Sequence, residues 1–485
     1  MTRSELVAFL NKLEDEHPVN DWWLDGARIW PLIRQKIGEE VLREELPKAE
    51  AVDAALFPLS ERLGWLLHGM LDLVLQKRPW SGDTLLYFSE NDHLIELSGA
   101  IHDKFADPWI RAMSGSGKRS LVIEHLRGKH VALPRAVQVE RIDISRPQAF
   151  HASLFWRLPK PTYDFELELG EMLDKLPPGR SRPSIQVIRA QVRTWQQRVR
   201  FYSRLFRRRK PRAVFLVCWY SVEYMALCHV CSTMGIPCID LQHGIQGHAH
   251  LAYGTWSKVP SVGYSLMPSV FWCWDASSAT HINNWAQGSP HVALHLGSPW
   301  MEWLREGAGP AARPHNRKDQ GRKRVLYTAE PLPDLLPTVI IEAMKATKDV
   351  YQWLVRPHPT RPSDKDNALA TLAEHGLLGH VNVSAPAEMP LFHALDCDVH
   401  VTQYSSVIVD AAMHGVPSIS IDPHARDIFK PHLGTGTLKV VDTVQDLLHE
   451  LEAAERRDGH THQFPPLLER IQSAISQGKG PSGTR

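Results

Sequence analysis

Residues 399–422 read VHVTQYSSVIVDAAMHGVPSISID and decide the fold class of the chain. The apolar run VHVT predicts a strand, the segment from Ser406 to His414 predicts a helix, and SISID predicts a second strand. Gly415 and Pro417 end the helix, because neither residue continues a helical pattern. Parallel strands need a crossover connection of this kind, so the segment is interpreted as a βαβ unit.

The same alternation extends along the C-terminal half of the chain. Strands are predicted for RVLYTA (324–329), YQWLVRPHP (351–359) and VNVSA (381–385), with helical patterns between them. Four or five strands that alternate with helices over about 120 residues are typical of a doubly wound α/β domain.

An earlier part of the chain repeats this pattern. AVFLVCWY (213–220), a helix and CIDLQ (238–242) predict another βαβ unit, and TLLYFS (84–89) and LVIEHL (121–126) predict two further strands. We therefore expect an α/β fold of two Rossmann-like doubly wound domains that face a cleft.

These patterns divide the chain into five segments. They are a helical lead-in over 1–80, an N-terminal Rossmann-like domain over 81–304, a linker over 305–324, a C-terminal Rossmann-like domain over 325–475 and a disordered tail over 476–485. The linker is predicted because its residues are rich in Gly, Pro and charge. Prolines and charges between 134 and 183 predict a loop-rich stretch within the N-terminal domain.

Composition excludes several classes of protein. The chain has 485 residues, of which 43% are hydrophobic and 22% are charged, so it is neither disordered throughout nor a coiled coil. A net charge of +1 gives no general attraction to nucleic acid, and the six cysteines suit buried, reduced thiols. The N-terminus lacks the apolar core of a secretory signal, and no apolar run approaches the ~18 residues needed to span a bilayer. We expect a cytoplasmic protein.

Ligands of open parallel sheets bind beyond the carboxyl ends of the strands, so polar residues that follow strands are the candidates. In the C-terminal domain these candidates are Glu330, Arg356, His358, Ser405, Ser406 and Asp410. Flanking prolines would fix a turn that points the imidazole of His358 toward a phosphate, with Arg356 as a second donor. The N–H groups at the start of the helix would favour a phosphate beside the two serine hydroxyls.

Each of these residues also has a structural interpretation that the sequence leaves open. Ser405 could cap its helix, and His358 could be an ordinary exposed loop residue. Asp410 could accept hydrogen bonds from ribose hydroxyls or from a backbone turn.

In the N-terminal domain, polar groups stand in SEND (89–92) and in DLQHGIQGHAHLAY (240–253). Asp240, His243, Glu90 and Asp92 are the groups that could act as general base, acid or nucleophile, or simply as hydrogen-bonded loop residues. The histidines of HGIQGHAH raise the possibility of a zinc site, but no Cys or acidic partner stands at a suitable spacing. No metal is therefore expected.

The segment from Arg189 to Arg212 is basic and contains no acidic residue, and apolar residues are interleaved with the cations. It could be a solvated helix face, since cations near a helix C-terminus suit the helix dipole. The alternative is a surface that contacts anionic lipid, which would place the protein peripherally at the inner face of a membrane.

RPHP (356–359), TQYSSVIVDAAMHGVPSI (402–419) and DLQHG (240–244) together resemble bacterial surface-polysaccharide glycosyltransferases of the two-Rossmann-domain (GT-B) type. The nearest similarity is to CMP-Kdo-dependent Kdo transferases of capsule and lipopolysaccharide (O-antigen) assembly. The resemblance implies that His358, Ser405 and Ser406 hold the nucleotide phosphate. It also implies an acceptor-binding, catalytic N-terminal domain and a nucleotide-donor C-terminal domain.

Three alternatives stay open beside this resemblance. The same motifs are similar to CDP-glycerol glycerophosphotransferases of teichoic-acid synthesis, although YTAEP stands here for their APT and QHG for their WHG. A nucleotide-sugar epimerase would share the architecture, and a catalytically silent nucleotide-binding scaffold protein would need no turnover.

The predicted function is a metal-independent glycosyltransferase with a nucleotide-sugar donor. It would move a sugar, an acid sugar such as Kdo from a CMP donor, onto a cell-surface polysaccharide or glycolipid acceptor. The nucleotide-activated sugar is a substrate, so no cofactor is expected, and no nucleic-acid partner is expected either.

Overall fold

The computed structural model describes residues 2–43, 83–97, 99–125, 133–154, 162–177, 180–208, 210–305, 321–358, 361, 363–385, 388–456 and 463–479. These residues form two compact units. The first unit comprises 5–95, 99–299 and 464–485, and the second comprises 1–4, 96–98 and 300–463, apart from the positions outside the described ranges.

The first unit contains a seven-stranded parallel sheet. In chain order the strands of this part are β1 (Trp23–Leu24), β2 (Ala27–Arg28), β3 (Leu85–Glu90), β4 (Leu94–Leu97), β5 (Ala100–Asp103), β6 (Ser120–His125), β7 (Glu140–Asp143), β8 (Ala213–Leu216), β9 (Cys238–Leu241), β10 (Val270–Cys273) and β11 (Val292–His295). The main sheet has the order β11-β10-β9-β8-β3-β6-β7, while β1-β2 and β4-β5 form two-stranded sheets. Every residue of β8, β9 and β10 is buried, as expected for parallel strands covered on both faces.

Eight helices in the described N-terminal part accompany these strands. They are α1 (Arg3–Glu16), α2 (Trp30–Val41), α3 (Asp107–Met113), α4 (Ser145–Leu154), α5 (Glu166–Asp174), α6 (Ile185–Arg208), α7 (Val222–Met234) and α8 (Ala276–Ala286). The stretch 134–183, expected to be loop-rich, therefore contains β7, α4 and α5. Its periodicity was obscured because these elements are short and prolines stand between them.

The N-terminal helices are part of the first unit rather than a separate lead-in. Leu6, Leu10 and Ile33 belong to the same hydrophobic core as residues of the main sheet. Glu14 of α1 and Arg34 of α2 form a fully buried ion pair with an Nε–Oε1 distance of 3.3 Å. The structure therefore places the described part of 1–80 against the sheet, while residues 44–80 lie outside the described ranges.

The second unit contains a six-stranded parallel sheet. Its strands are β12 (Lys323–Thr328), β13 (Tyr351–Arg356), β14 (Val381–Val383), β15 (Val399–Thr402), β16 (Ser418–Ser420) and β17 (Leu438–Val440), in the order β14-β13-β12-β15-β16-β17. Its helices are α9 (Pro299–Arg305), α10 (Thr338–Thr347), α11 (Asp364–Glu374), α12 (Leu391–Ala394), α13 (Val407–Met413), α14 (His424–Ile428), α15 (Lys430–Gly434) and α16 (Val444–Ala453). The prediction of an α/β fold with two Rossmann-like parallel sheets is confirmed.

The last helix, α17 (Leu467–Gln477), packs in the first unit. Ile471, Ala474 and Ile475 share a hydrophobic cluster with Trp109 and Trp272. The sequence analysis assigned this helix to the C-terminal domain, because a contact between residues so distant in the chain leaves no local signal. Most of the predicted linker (306–320) and the end of the predicted tail (480–485) lie outside the described residues.

Within the described part of the chain, no helix is long and apolar enough to cross a membrane.

Candidate functional site

Polar side chains follow three neighbouring strands of the second sheet, β13, β12 and β15. Glu330 comes two residues after β12, and its Oε1 accepts a hydrogen bond of 2.7 Å from the backbone N–H of Tyr404, which follows β15. The loops that carry Glu330 and Ser405 are therefore in direct contact. Burial raises the pKa of Glu330 to about 7, and the nearby charge of Asp422 acts in the same direction.

Arg356 is the last residue of β13, and its guanidinium is largely buried at the carboxyl end of the sheet. Its Nε donates a hydrogen bond of 3.3 Å to the carbonyl oxygen of Met389. Among the described residues this is its only hydrogen bond, although a guanidinium carries five N–H donors. Burial lowers the pKa of Arg356 to about 10, and the negative charge of Asp410 opposes that shift. Arg356 and Asp410 therefore lie near each other.

His358 is half-buried just beyond β13. Burial lowers the pKa of its imidazole, the charges of Arg356 and Arg361 lower it further, and the charge of Asp364 raises it. The backbone N–H of Arg361 donates to the carbonyl oxygen of His358 at 3.1 Å. Pro359, one of the two prolines expected to fix this turn, lies outside the described residues.

The two serines at the start of α13 differ in their contacts. The Oγ of Ser405 accepts a hydrogen bond of 3.3 Å from the backbone N–H of Val407, which is the capping role that the sequence left open. Ser406 is exposed and its hydroxyl does not cap the helix. The hydroxyl of Ser406 is therefore more accessible to a ligand than that of Ser405.

In the first sheet the candidate residues lie near the carboxyl ends of β9, β8 and β3, which are neighbours in the sheet. The Nε2 of His243 lies 3.3 Å from the Sγ of Cys218 and 3.2 Å from the hydroxyl of Tyr220. Its Nδ1 is buried and has no hydrogen-bond partner among the described residues. Burial lowers the pKa of His243 to about 3, and the charges of Lys104 and His93 lower it further. The imidazole is therefore neutral at physiological pH.

Asp240 was expected at a strand end, but it lies inside β9 and is fully buried. Its Oδ1 accepts from the backbone N–H of Trp219 at 3.2 Å, and its Oδ2 accepts from the hydroxyl of Tyr253 at 2.7 Å. Burial raises the pKa of Asp240 well above its usual value. These contacts fit a structural carboxyl better than a group that meets substrate.

Glu90 and Asp92 also separate in the structure. Glu90 ends β3, where its side chain and that of His93 cap each other's backbone N–H groups. Burial raises the pKa values of Cys218 and Tyr224, and the charge of Glu90 raises them further, which places this carboxylate near residues that follow β8. Asp92 is exposed on the next turn. The structure thus brings Glu90 close to the surroundings of His243 and leaves Asp92 on the surface.

Sequence reasoning missed the other residues around His243. Cys218 has a φ of 60°, a left-handed conformation that is uncommon outside glycine, because the chain turns sharply after β8. His93 is buried. Burial lowers the pKa values of His93 and His243, and the positive charge of Lys104 lowers both further. No local pattern identifies these residues, since the contacts join loops that are far apart in the chain. Among the described residues, no group of three or more His, Cys, Asp or Glu side chains could hold a metal ion.

Neither a protein-family model nor a curated protein matches the chain. A solved structure from Listeria monocytogenes, assigned as a UDP-N-acetylglucosamine 2-epimerase, is similar at 12% identity with a TM-score of 0.50, covering 82% of this chain and 96% of its own. The glycosyltransferase SnogD from Streptomyces nogalater is similar at 16% identity over 83% of this chain and 95% of its own, with a TM-score of 0.41. The wall teichoic acid polymerase TagF is similar at 12% identity over 87% of this chain and 93% of its own, with a TM-score of 0.41. The first of these similarities concerns the fold alone.

Proposed function

We propose that the chain is a glycosyltransferase that takes its sugar from a nucleotide-activated donor. The observation that carries this proposal is Arg356, a largely buried guanidinium at the carboxyl end of a parallel sheet with one hydrogen bond to the described residues. An arginine in such a position binds phosphate well, because its planar N–H groups match phosphate oxygens. Ligands of open α/β sheets also bind at this edge.

The donor site that we propose surrounds Arg356. His358 and the exposed hydroxyl of Ser406 would donate further hydrogen bonds to the phosphate, while Ser405 shapes the turn through its contact with Val407. Glu330 and Asp410 are acceptors on the adjoining loops, so they suit the hydroxyls of a ribose. This division of roles follows the charges, since cations meet phosphate and carboxylates meet hydroxyl groups.

Transfer of the sugar leaves negative charge on the departing nucleotide phosphate. Fixed donors stabilise that charge without reorganising during the reaction, which is the largest catalytic contribution that such a site can supply. Arg356 is held by Met389 and by the nearby Asp410, so its guanidinium is already positioned before the donor binds.

In the first unit, His243 and Glu90 are the groups that we propose to face the acceptor. A carboxylate can accept the proton of an attacking hydroxyl, and Glu90, at the end of β3, is the group that would do so. The pKa of about 3 leaves the His243 imidazole neutral, so its role would be to hydrogen-bond the acceptor rather than to hold its proton. Asp240 is assigned instead to holding Tyr253 and the turn at Trp219. Asp92 is not needed in this arrangement.

The finer proposal is a CMP-linked acid sugar such as Kdo, moved onto a bacterial surface polysaccharide or glycolipid. Lys104 supports it, because its positive charge acts on both His93 and His243. The carboxylate of an acid sugar would find a counter-charge there.

A nucleotide-sugar epimerase is the second candidate. The protein named above from Listeria monocytogenes, similar with a TM-score of 0.50, is assigned that activity, and His243, His93 and Glu90 form a cluster of groups that can move protons. An epimerase would convert a UDP-sugar with no acceptor present, whereas a transferase would only hydrolyse its donor slowly under that condition.

The decisive experiment measures which nucleotide binds and what product forms. Calorimetric titration with CMP, CDP, UDP, GDP and dTDP should show binding of CMP that weakens when Arg356 is replaced by Gln. Arg426→Gln, an exposed arginine of the same unit that pairs with Asp442, is the matched control. Absence of binding to every nucleotide would refute the proposal.

Product analysis separates the remaining activities. A new glycosidic bond indicates a glycosyltransferase, a phosphodiester in the product indicates a polyol phosphotransferase, and a changed UDP-sugar without acceptor indicates an epimerase. Nucleotide binding with no turnover of any donor would point to the scaffold alternative.

A further inference from the structure

Helix α6 has an unusual distribution of charge. It contains Arg189, Arg193, Arg198, Arg200, Arg204, Arg207 and Arg208, and it has no acidic residue. Its apolar side is packed in the core of the first unit, through Ile188, Val192, Trp195, Tyr202 and Phe206. The helix is thus fixed in place by one face, and most of its arginines are directed away from that face.

Four of the arginines share one side of the helix. Arg193, Arg200, Arg204 and Arg207 are seven, four and three residues apart, which places them on one face at 3.6 residues per turn. We call these four residues the basic stripe, and it is about 21 Å long. Arg200, Arg204 and Arg207 are exposed, and Arg193 is half-buried.

Two other arginines of α6 pair with acidic residues. Arg189 donates to Glu166 at 2.6 Å through Nε, and the Nε of Arg198 lies 2.8 Å from Glu223. Like charges on successive turns of a helix repel each other, so the basic stripe costs the helix some stability. Its positive potential reaches the buried ring of His151, whose pKa is lowered to about 4 by burial and then by the charges of Arg204, Arg198 and Arg200.

An exposed aromatic residue lies on a hairpin that contacts the same helix. Trp23 is 51% exposed, on the short hairpin of β1 and β2. The Nε2 of Gln196 in α6 donates to the Oδ2 of Asp25 at 2.9 Å, so this hairpin contacts the same helix. The guanidinium of Arg28 stacks on the Trp23 ring at 4.3 Å from its centroid. An indole with one wet face suits the boundary between water and lipid.

We propose that the basic stripe and Trp23 form a docking surface for an anionic lipid bilayer. Exposed arginines in a row along a straight helix do not converge on one point, so they match a plane of lipid phosphates better than a single phosphate group. The net charge of +1 gives the chain no general affinity for polyanions, so attraction to a polyanion must come from a local surface such as this one. This proposal does not depend on the proposed enzymatic function.

The test is flotation of the full chain with vesicles. At low salt the protein should float with phosphatidylcholine vesicles that contain about one third phosphatidylglycerol, and it should not float with pure phosphatidylcholine. Each basic residue near such a surface contributes about fivefold to binding, so R200Q/R204Q/R207Q should lower the partition coefficient on the order of 100-fold. Raising the salt concentration should also weaken binding of the unaltered protein to the vesicles, because salt screens the attraction between the arginines and the lipid phosphates.

Three further variants make the result specific. R200K/R204K/R207K keeps the charge and should keep most of the binding, whereas K345Q/K430Q/K439Q removes three exposed cations of the second unit and should leave binding unchanged. Trp23→Ala should lower the part of the binding that resists salt. Circular dichroism checks that each variant is folded, and the Gln triple variant should melt no lower than the unaltered chain.

Equal flotation of the Gln triple variant and the unaltered chain would overturn the proposal. Equal binding to neutral vesicles would overturn it too, because the surface would then not depend on charge. Binding to inorganic polyphosphate without binding to vesicles would indicate that the basic stripe binds a soluble polyanion. That result would also overturn the proposal of a bilayer-docking surface.

Discussion

The carboxyl ends of the two parallel sheets carry opposite kinds of polar group. In the first sheet His243, His93 and Cys218 are neutral, since burial lowers the pKa values of the two histidines and raises that of the thiol. In the second sheet the corresponding position holds charges, with Arg356 beside Asp410. Two sheets of the same topology class thus present different chemistry at the same edge.

The comparison shows that fold does not determine what a strand end can do. Buried neutral groups carry no charge that an anion could pair with, so they suit hydrogen bonds to an uncharged part of a ligand. A positioned guanidinium is suited to holding an anion that is already charged. The following predictions test whether the two strand ends differ in this way.

The largest expected effect concerns Asp240. Asp240→Ala should lower the free energy of unfolding by about 4 kcal/mol, because the hydroxyl of Tyr253 and the N–H of Trp219 would both lose their acceptor inside the sheet. Asp240→Asn keeps an acceptor oxygen and should cost about 1 kcal/mol. Denaturant unfolding measures both. If the two variants are equally stable and both inactive, Asp240 acts in catalysis rather than in structure.

A second effect concerns the protonation of His243. The folded-state pKa is about 3, below the usual 6.5, so the folded chain binds fewer protons than the unfolded chain between these values. The stability that this neutral imidazole provides is fully present above pH 6.5 and is lost as the pH falls. Between pH 7 and pH 4.5 the loss should be about 3 kcal/mol. His243→Gln should remove that part of the pH dependence, as measured by denaturant unfolding at pH 7 and pH 4.5. An unchanged pH profile in the variant would contradict the buried, neutral ring.

The ionisation of Glu330 should change the stability with pH in the opposite direction to that of His243. Its folded-state pKa is about 7 against a usual 4.5, so the folded chain retains a proton that the unfolded chain loses in that window. Stability should therefore fall by about 2 kcal/mol as the pH rises from 4.5 to 7, and Glu330→Gln should flatten this change. Denaturant unfolding at pH 5 and pH 7 measures it. A variant that loses stability equally at both pH values would show that Glu330 is charged in the folded chain.

Nucleotide affinity should depend on Arg356. Arg356→Gln removes a charged hydrogen-bond donor from the proposed phosphate site and should weaken CMP binding by about 1.5 kcal/mol, roughly tenfold. His358→Ala should act in the same direction and by a similar amount. Calorimetry with CMP measures each effect, and Arg426→Gln should bind as the unaltered chain does. If both the Arg356 and His358 variants bind CMP with normal affinity, the phosphate does not bind at the end of β13.

The smallest effects separate the two serines. Ser405→Ala should lower the stability of the chain by about 1 kcal/mol, because its hydroxyl caps Val407. Ser406→Ala should leave stability almost unchanged and should weaken CMP binding by about 1 kcal/mol, because its exposed hydroxyl is available to the ligand. Thermal melting and calorimetry measure the two quantities. The reverse pattern would exchange the roles of the serines.

The sequence predicted most of the strands because their apolar runs are bounded by helical patterns. β13 and β15 fall within the runs expected from residues 351 and 399 onward, and β12 begins one residue before the run expected from residue 324. β10 and β11 were not predicted, because an apolar run of only four residues has the same composition as one buried turn of helix. Only their pairing in the sheet distinguishes them.

The candidate site was less predictable than the fold. Arg356 and Glu330 could be identified because they follow strands directly. Asp240 was displaced by one or two residues relative to the strand end, and that small shift moves a carboxyl from a ligand-facing edge into the interior. Lys104 and Cys218 left no local signal, because they reach His243 only through tertiary contacts.

The position of α17 has a consequence for how the chain folds during synthesis. The hydrophobic cluster around Trp109 and Trp272 includes Ile471 and Ile475, which the ribosome adds about two hundred residues or more after those tryptophans. The first unit therefore starts before the second along the chain but finishes after it. In the interval its partly covered sheet offers an apolar surface to chaperones, and to any other nascent copy nearby.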